Sequence, residues 1–287
     1  AYGGGTWSGA ESDKAFADSI RKAGNVILLA DATFEGDQTG DQKWPDQGYR
    51  LNAPGVVERR ALFAPTAELA GGAAALGHNL FILDPDGPLR HTVPFVRTGD
   101  RAMPSLGLSA AMLAARIPAS DIRLDADVLT VGDRRIPLEW RQVRTADGEV
   151  GYLWGLINFR GPALLEDLKA RPYAAYSFFD LLYAEEQLLA GVKPGIDPSV
   201  FRDKIVFVGM GASGLFDAFE TPFAGGRMPG VQVHAAVADD FLSSRPMQPE
   251  SPRVRMALVL AMALMAGVAA TLLPAWGVKV FDGVPVA

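Results

Sequence analysis

The chain has 287 residues, of which 49% are apolar, and a formal net charge of -6 at pH 7. This length and composition are enough for one large domain or two small domains with a hydrophobic core. The acidic balance argues against nucleic-acid binding. Because the chain has no cysteine, disulfides and thiolate metal sites are excluded.

The predicted elements mix helices and strands, which is the pattern of an α/β fold with a mixed central sheet and flanking helices. The helices are predicted over 13–23, 68–76, 105–116, 177–189 and 231–242. The strands are predicted over 26–30, 77–83, 89–96, 122–124, 128–131, 136–140, 153–159 and 205–208.

Turn and cap residues set the expected boundaries of these elements. Ser12 or Asp13 can cap the first helix, and Gly24 is a plausible stop after it. Residues 31–58 are polar and interrupted by prolines, which is typical of a long loop. The Asp-Pro-Asp-Gly sequence at 84–87 is a strong turn signal, so we expect strands 77–83 and 89–96 to form a hairpin.

An uncharged run from Met256 to Val278 predicts a transmembrane helix. A helix of this length would be roughly 35 Å long, enough to cross the apolar layer of a bilayer. A buried core helix is the alternative, but the run is apolar on all faces and unusually long for one. Arg253 and Arg255 precede the run and Lys279 follows it, which by the positive-inside rule would favour a cytoplasmic location for the preceding residues.

Three patterns in the chain suggest enzyme or metal chemistry, and each has a simpler structural explanation: a turn for the glycine motif and for Asp84–Gly87, and a helix-start histidine hydrogen-bonded to a loop for His234. Gly209-x-Gly211-x-x-Gly214 matches a dinucleotide fingerprint, but the prolines and glycines that follow leave no room for the required helix. Ser213, Asp217 and His234 have the residue types of a hydrolase triad, but Leu215 occupies the position at which a nucleophile elbow requires glycine. The histidines are too scattered for a metal site, and Asp84-x-Asp86-Gly87 lacks the rest of a calcium loop.

Arg160, at the end of a predicted strand, is the most informative charged residue. Beside Gly-Pro, its guanidinium can hold a carboxylate through two hydrogen bonds. The carboxylate could belong to a ligand or to an internal aspartate such as Asp217. We favour the internal partner.

Several short segments, taken in order, resemble one family, the type-two cyclase/histidine-kinase-associated sensory extracellular (CHASE) domains. The matching segments are GNVIL at 24–28, GHN at 77–79, DPDGPLR at 84–90, INFRGP at 157–162, FFDLL at 178–182, DKIVFVG at 203–209, GLFD at 214–217, TPF at 221–223 and PGVQVHA at 229–235. The resemblance extends over about residues 12–280 and ends in the apolar run.

This resemblance implies a receptor with an extracytoplasmic α/β sensor between membrane helices and a cytoplasmic nucleotide cyclase or protein kinase as its output. The chain is similar to an internal part of such a receptor, without the first membrane helix, the opening strands and the output domain. The sheet edge next to those strands would then be open. The family topology places residues 1–250 outside the cytoplasm, and we follow it over the charge count.

We therefore predict a bacterial periplasmic or extracellular sensor over 1–250, a linker over 251–255, a transmembrane helix over 256–278 and the start of a loop over 279–287. The expected partners are the inner membrane, an unknown small-molecule or protein signal and a second receptor copy, with no cofactor, metal or catalytic residue. A membrane-anchored nucleotide-binding enzyme and an interaction module without a ligand are the alternatives. The polar residues expected to bind a ligand or brace the fold are Asn79, Asp84, Asp86, Arg90, Asn158, Arg160, Asp217, Thr221 and His234.

Overall fold

A computed structural model of the protein describes most of the chain. The described residues are 8–33, 49, 51, 53–145, 148–163, 172–210, 217–223 and 227–272. The chain divides into two compact units, Ala1–Met247 and Gln248–Ala287.

The fold is α/β, as predicted, and its strands are distributed over small sheets of two or three strands. The helices are α1 Gly9–Ala23, α2 Ala67–Gly72, α3 Leu106–Ala114, α4 Phe178–Leu189, α5 Gly230–Leu242 and α6 Pro252–Leu272. The strands are β1 Ile27–Ala30, β2 Val57–Glu58, β3 Ala75–His78, β4 His91–Thr92, β5 Phe95–Thr98, β6 Arg101–Pro104, β7 Ile122–Asp125, β8 Val128–Val131, β9 Arg134–Pro137, β10 Glu139–Thr145, β11 Gly148–Leu156, β12 Ala218–Phe219 and β13 Met228–Pro229.

The sheets combine parallel and antiparallel pairings. Strand β1 runs parallel to β3, with Ile27 opposite Ala75 and Ala30 opposite His78. Strands β7, β8 and β9 form an antiparallel meander, as the turn residues between them predict. Strand β11 pairs antiparallel with both β10 and β4.

Helix α5 lies at the centre of the packing in the first unit. It packs against α3, and its side chains contribute to two of the three hydrophobic clusters. Ala238 and Phe241 join the cluster that contains Leu108 and Leu129 of α3 and β8. Val233 and Val237 join the cluster around Leu89 and Ile157, the residue that follows β11. Because it faces the core on more than one side, α5 is buried along most of its length.

The first helix begins earlier than the sequence suggested. Ser8 caps α1: its hydroxyl accepts the Glu11 N–H at 3.3 Å, and the Glu11 carboxylate accepts the Ser8 N–H at 2.9 Å. The expected caps at Ser12 and Asp13 are therefore wrong, because this reciprocal capping box satisfies two donors of the first turn. Gly24, with φ 68°, ends the helix as predicted.

The expected hairpin between 77–83 and 89–96 is also wrong. The turn at 84–87 is present, with the Gly87 N–H bonded to the Asp84 carbonyl at 2.8 Å. The chain after the turn, however, forms β4 with β11 and β5 with β6. Helix 68–76 is shorter than predicted because residues 75 and 76 belong to β3.

The strand predicted over 205–208 does not form. Ile205, Val206 and Val208 are 39%, 51% and 75% exposed, and no backbone hydrogen bond joins 205–210 to another part of the described chain. A run of β-branched residues becomes a strand only where a neighbour supplies a ladder of donors and acceptors. Helix α4 is similarly open: Ala184 is buried, whereas Phe178, Phe179 and Leu189 are exposed.

In the second unit, α6 is the one helix of the described residues that is long and apolar enough to cross a membrane. The candidate span is Arg253–Thr271, with a mean hydropathy of 1.9 over its most apolar window, which is not buried. The helix starts ahead of the predicted Met256. Its predicted end, at 273–278, lies outside the described residues.

The contact between α3 and α5 generates a stability prediction. A Cβ at Gly107 would lie 2.9 Å from Cβ of Val237 and would also collide with the His234 carbonyl. We expect Gly107→Ala to lower the free energy of unfolding by about 1–3 kcal/mol, because the two helix backbones must separate. Urea unfolding of the full chain in detergent, followed by circular dichroism, measures this change.

Gly71→Ala is the matched control, since a Cβ there meets nothing within 4 Å. It should leave the stability unchanged or raise it by up to about 1 kcal/mol through helix propensity. Equal stability of the two variants would contradict the close approach of α3 and α5.

Candidate functional site

Polar residues collect at both ends of α5, and most of the predicted site residues lie in one of these two groups. At the end of the helix is the Arg160 cluster, which we define as Asn158, Arg160, Tyr173, Asp239, Asp240, Ser243 and Arg245. Four further polar residues lie in the first two turns of α5 or next to strand β12, which pairs with β13 just before the helix. These are Asp217, Thr221, Gln232 and His234, which we call the His234 group.

In the Arg160 cluster, one guanidinium bridges two consecutive carboxylates. Nε of Arg160 donates to Oδ2 of Asp239 at 2.6 Å, and Nη2 lies 3.0 Å from Oδ1 of Asp240. The other oxygen of Asp240, Oδ2, accepts the backbone N–H of Asn158 at 2.5 Å. The segment after β11 is therefore tied to the last turn of α5 by charge-assisted contacts.

Polar neighbours complete the cluster on both sides. The Asn158 side-chain amide donates to the Arg245 carbonyl at 3.1 Å, beyond the end of the helix. The Tyr173 hydroxyl donates to Oδ2 of Asp239 at 3.3 Å, and the Ser243 hydroxyl donates to Oδ1 at 2.7 Å. The Asp239 carboxylate thus receives three side-chain donors.

The two carboxyl groups of the cluster have opposite pKa shifts. Burial raises the pKa of Asp240 to about 7, although the Asn158 N–H and the Arg160 charge act in the other direction. Burial also acts to raise the pKa of Asp239, but hydrogen bonds from Ser243 and Arg160 outweigh it and hold that pKa below its usual value. Asp239 is therefore ionised at neutral pH, whereas Asp240 is close to its titration midpoint.

Arg160 has an internal partner, but the partner is not the expected Asp217. That aspartate lies at the other end of α5, where its carboxylate packs against Cα of Gly230 and its carbonyl accepts the Gly230 N–H at 3.1 Å. A Cβ at position 230 would collide with the carboxylate, which explains a glycine at the first residue of the helix. Burial raises the pKa of Asp217.

The His234 group contains buried polar atoms without hydrogen-bond partners among the described residues. These atoms are Oγ1 of Thr221, Oε1 of Gln232 and Nδ1 of His234. The His234 ring packs against Phe81 at 4.7 Å between centroids. Burial lowers the pKa of His234 to about 4, so the ring is neutral at pH 7.

A second buried histidine, His78, lies at the end of β3 and was not among the predicted site residues. Its Nδ1 accepts the Leu80 N–H at 3.1 Å, which leaves the ring proton on Nε2. Burial, and then the proximity of His234, lower its pKa to about 3. Two uncharged histidines thus lie in the interior between β3 and α5.

The predicted residues Asp84, Asp86 and Arg90 come together at the turn before β4. Oδ2 of Asp84 accepts the Arg90 N–H at 2.9 Å, and the Arg90 guanidinium holds both oxygens of Asp86 at 2.7 and 2.8 Å. Asp84 also lies 2.9 Å from Nδ1 of His91, whose ring stacks on Trp154 at 3.9 Å. These contacts brace the turn against β11.

Asn79 has a bracing contact of its own. Its Oδ1 accepts the Ala32 N–H at 3.0 Å, across the gap between the ends of β1 and β3. It also contacts Asp31, whose pKa is lowered by hydrogen bonds from Thr33 and Asn79 despite burial acting to raise it. Asn79 therefore fixes the two parallel strand ends relative to each other.

The described residues give little support to nucleotide or metal chemistry. The glycine motif at 209–214 has no strand in front of it, and residues 211–216 lie outside the described part. Gly209 instead lies against Val231, where a Cβ would be 2.7 Å from Cβ of that valine. No cluster of three or more His, Asp or Glu side chains suited to a metal occurs in the described chain.

The sequence-based prediction missed Asp239 and Asp240, which form the Arg160 cluster. Two adjacent carboxylates near the end of an apolar helix were the available signal, because burial of that helix requires a cation beside them. His91 and Trp154 were also missed. Their stacking depends on the pairing of β4 with β11, which the sequence did not predict.

The Arg160 cluster predicts a large effect of removing its cation. Arg160→Ala would leave Asp239 and Asp240 side chains, 34% and 12% exposed, without their shared counter-charge. We expect the free energy of unfolding to fall by about 3 kcal/mol, measured by urea unfolding. Arg21→Ala removes an exposed pair with Asp18 and should cost less than about 0.5 kcal/mol. Similar losses in both variants would contradict the geometry.

The buried histidines predict a dependence of stability on pH. Because both pKa values are lowered in the folded protein from 6.5, the unfolded chain binds more protons between about pH 4 and 6.5. Each histidine therefore contributes stability that is lost as the pH falls from 6.5 toward 4, by about 1.4 kcal/mol per pH unit. Unfolding curves of His234→Gln should show a smaller loss than the wild type over this range. An unchanged pH slope would contradict the burial of His234.

Comparison with known protein families identifies the family of the chain. A model of the CHASE2 domain matches residues 5–270, which is more than half of the chain. The comparisons with curated proteins and with solved structures give no match. The chain belongs to the CHASE2 family of extracellular sensory domains of signalling receptors.

Proposed function

We propose that the chain is the extracytoplasmic sensor of a bacterial transmembrane receptor, followed by the helix through which that sensor enters the inner membrane. The receptor's output would be a nucleotide cyclase or a protein kinase. The observation that supports this proposal is the short connection between the core and the apolar helix. Helix α5, the central helix of the sensor core, is joined by only nine residues, 243–251, to the apolar helix α6.

This connection provides a physical route for a signal. A ligand changes a receptor only if it binds two conformations with different affinity. A contact that favours one position of α5 in the core would act on residues 243–251 and, through them, on the start of α6. Small displacements of packed helices are a common form of such switching.

The site at which a signal would act is proposed from the polar groups next to α5. Thr221, Gln232 and His234 have buried polar atoms that a small molecule could satisfy, and two of these residues lie in the first two turns of the helix. The other polar residues, from Asn79 to Arg90, have internal partners and are proposed to brace the fold. A second receptor copy is the proposed partner in the membrane. Neither catalysis nor a cofactor is proposed for this domain.

The topology can be tested in bacterial spheroplasts, whose inner membrane is intact. The chain has no cysteine, so Ser120→Cys, at an exposed position, and Ala287→Cys give single labelling sites. If one helix separates them and the sensor is periplasmic, a membrane-impermeant maleimide should label position 120 in spheroplasts of cells that express the whole receptor, with any cysteine outside this chain replaced by serine. Position 287 should react only after the membrane is permeabilised. The reverse pattern would place the sensor in the cytoplasm and contradict the proposal.

A further inference from the structure

We propose that the Arg160 cluster is a proton-operated latch, in which protonation of Asp240 releases Arg160 from one of its two carboxylates. This release loosens residues 243–251, the link between α5 and α6. The latch itself is a property of the described core. Only its role in signalling rests on the function proposed above.

The two oxygens of Asp240 differ in a way that defines where the proton goes. Oδ2 accepts the Asn158 N–H, and a proton there would face that donor. Oδ1 is buried and lies 3.0 Å from Nη2 of Arg160, but it makes no hydrogen bond with any of the described residues. A proton on Oδ1 therefore leaves the Asn158 contact intact and removes the charge that attracts Arg160.

The charged groups around Asp240 determine the pH at which it is protonated. Arg160 faces Asp240 from the segment after β11, and Arg245 from the chain after α5, and both charges favour the carboxylate. Asp239 opposes it, and Tyr173 contacts Asp239 from the next segment. On the neighbouring β9, Arg134 lies over the ring of Phe241, 5.1 Å from its centroid.

Within this surrounding, burial is the largest effect and raises the pKa of Asp240 to about 7. The carboxyl group therefore changes its charge near neutral pH, whereas Asp239 stays ionised because its pKa is lowered. Above the midpoint, Arg160 is shared by two anions. Below it, Arg160 keeps only Asp239, and the loop after β11 loses its ionic contact with the more buried carboxylate.

The cluster contains the contacts that hold the beginning of the link. The Arg245 carbonyl accepts the side-chain amide of Asn158, and the Arg245 N–H is bonded to the Asp240 carbonyl at 3.3 Å. Because Asn158 and Arg160 belong to the same segment after β11, the position of Arg245 near the start of the link depends on the segment that Arg160 holds. Release of Arg160 should increase the motion of the residues that follow.

The first experiment observes the proton directly. In the full chain in lipid nanodiscs, labelled with 15N-asparagine, the amide proton of Asn158 should shift with pH and show a midpoint near 7. Asp240→Asn should abolish the shift, and Asp18→Asn, an exposed control, should keep it. Arg160→Gln should move the midpoint to higher pH, since the Arg160 charge favours ionised Asp240. A flat wild-type curve from roughly pH 5.5 to 8.5, or one kept in Asp240→Asn, would overturn the proposal.

The second experiment tests whether the proton reaches the link. A nitroxide spin label on Met247→Cys, in the otherwise cysteine-free chain, should become more mobile below the midpoint of the Asn158 curve. This change should disappear in Asp240→Asn, and a label on Ser120→Cys should show none. If Asn158 titrates but the label at 247 does not respond, Asp240 is a local charge and not a latch. The maleimide test of topology is independent of both results.

Discussion

The burial of α5 between α3 and the segment after β11 is the constraint on which the rest of the structure depends. Gly107 allows the backbones of α3 and α5 to approach closely, and Gly230 makes room for Asp217 at the first turn. Because the side chains of α5 enter two hydrophobic clusters, a displacement of this helix would disturb both. Packing of this kind is suited to switching between discrete positions, which a sensor requires.

The buried polar groups at the two ends of α5 differ in how their charge is controlled. At its end, Arg160 compensates two carboxylates, and Asp240 is near its midpoint at neutral pH. At its start, His234 is kept uncharged by burial. The pH dependences are opposite: because the pKa of Asp240 is raised from 3.8, stability from Asp240 falls as the pH rises toward 7, whereas stability from the histidines is lost as the pH falls below 6.5.

The sequence predicted α3, α5 and the apolar helix well because their signals are local: a periodic apolar face or a long uncharged run. It failed where structure depends on partners distant in sequence. The pairing of β4 with β11 cannot be deduced from the turn at 84–87, and residues 205–208 have strand composition without a strand beside them. Likewise, Arg160 predicted an internal carboxylate, but choosing Asp239 and Asp240 over Asp217 required the packing direction of α5.

The structure depends on the burial of α5 at the centre of the sensor core, and hydrogen exchange of the full chain in nanodiscs tests this burial most directly. The account predicts that the amides of α5 and of Asn158 exchange among the slowest of the first unit, because they open only when the core opens. The amides of the exposed helix α4 and of 205–210 should exchange among the fastest. Exchange of α5 as rapid as that of α4 would contradict the account.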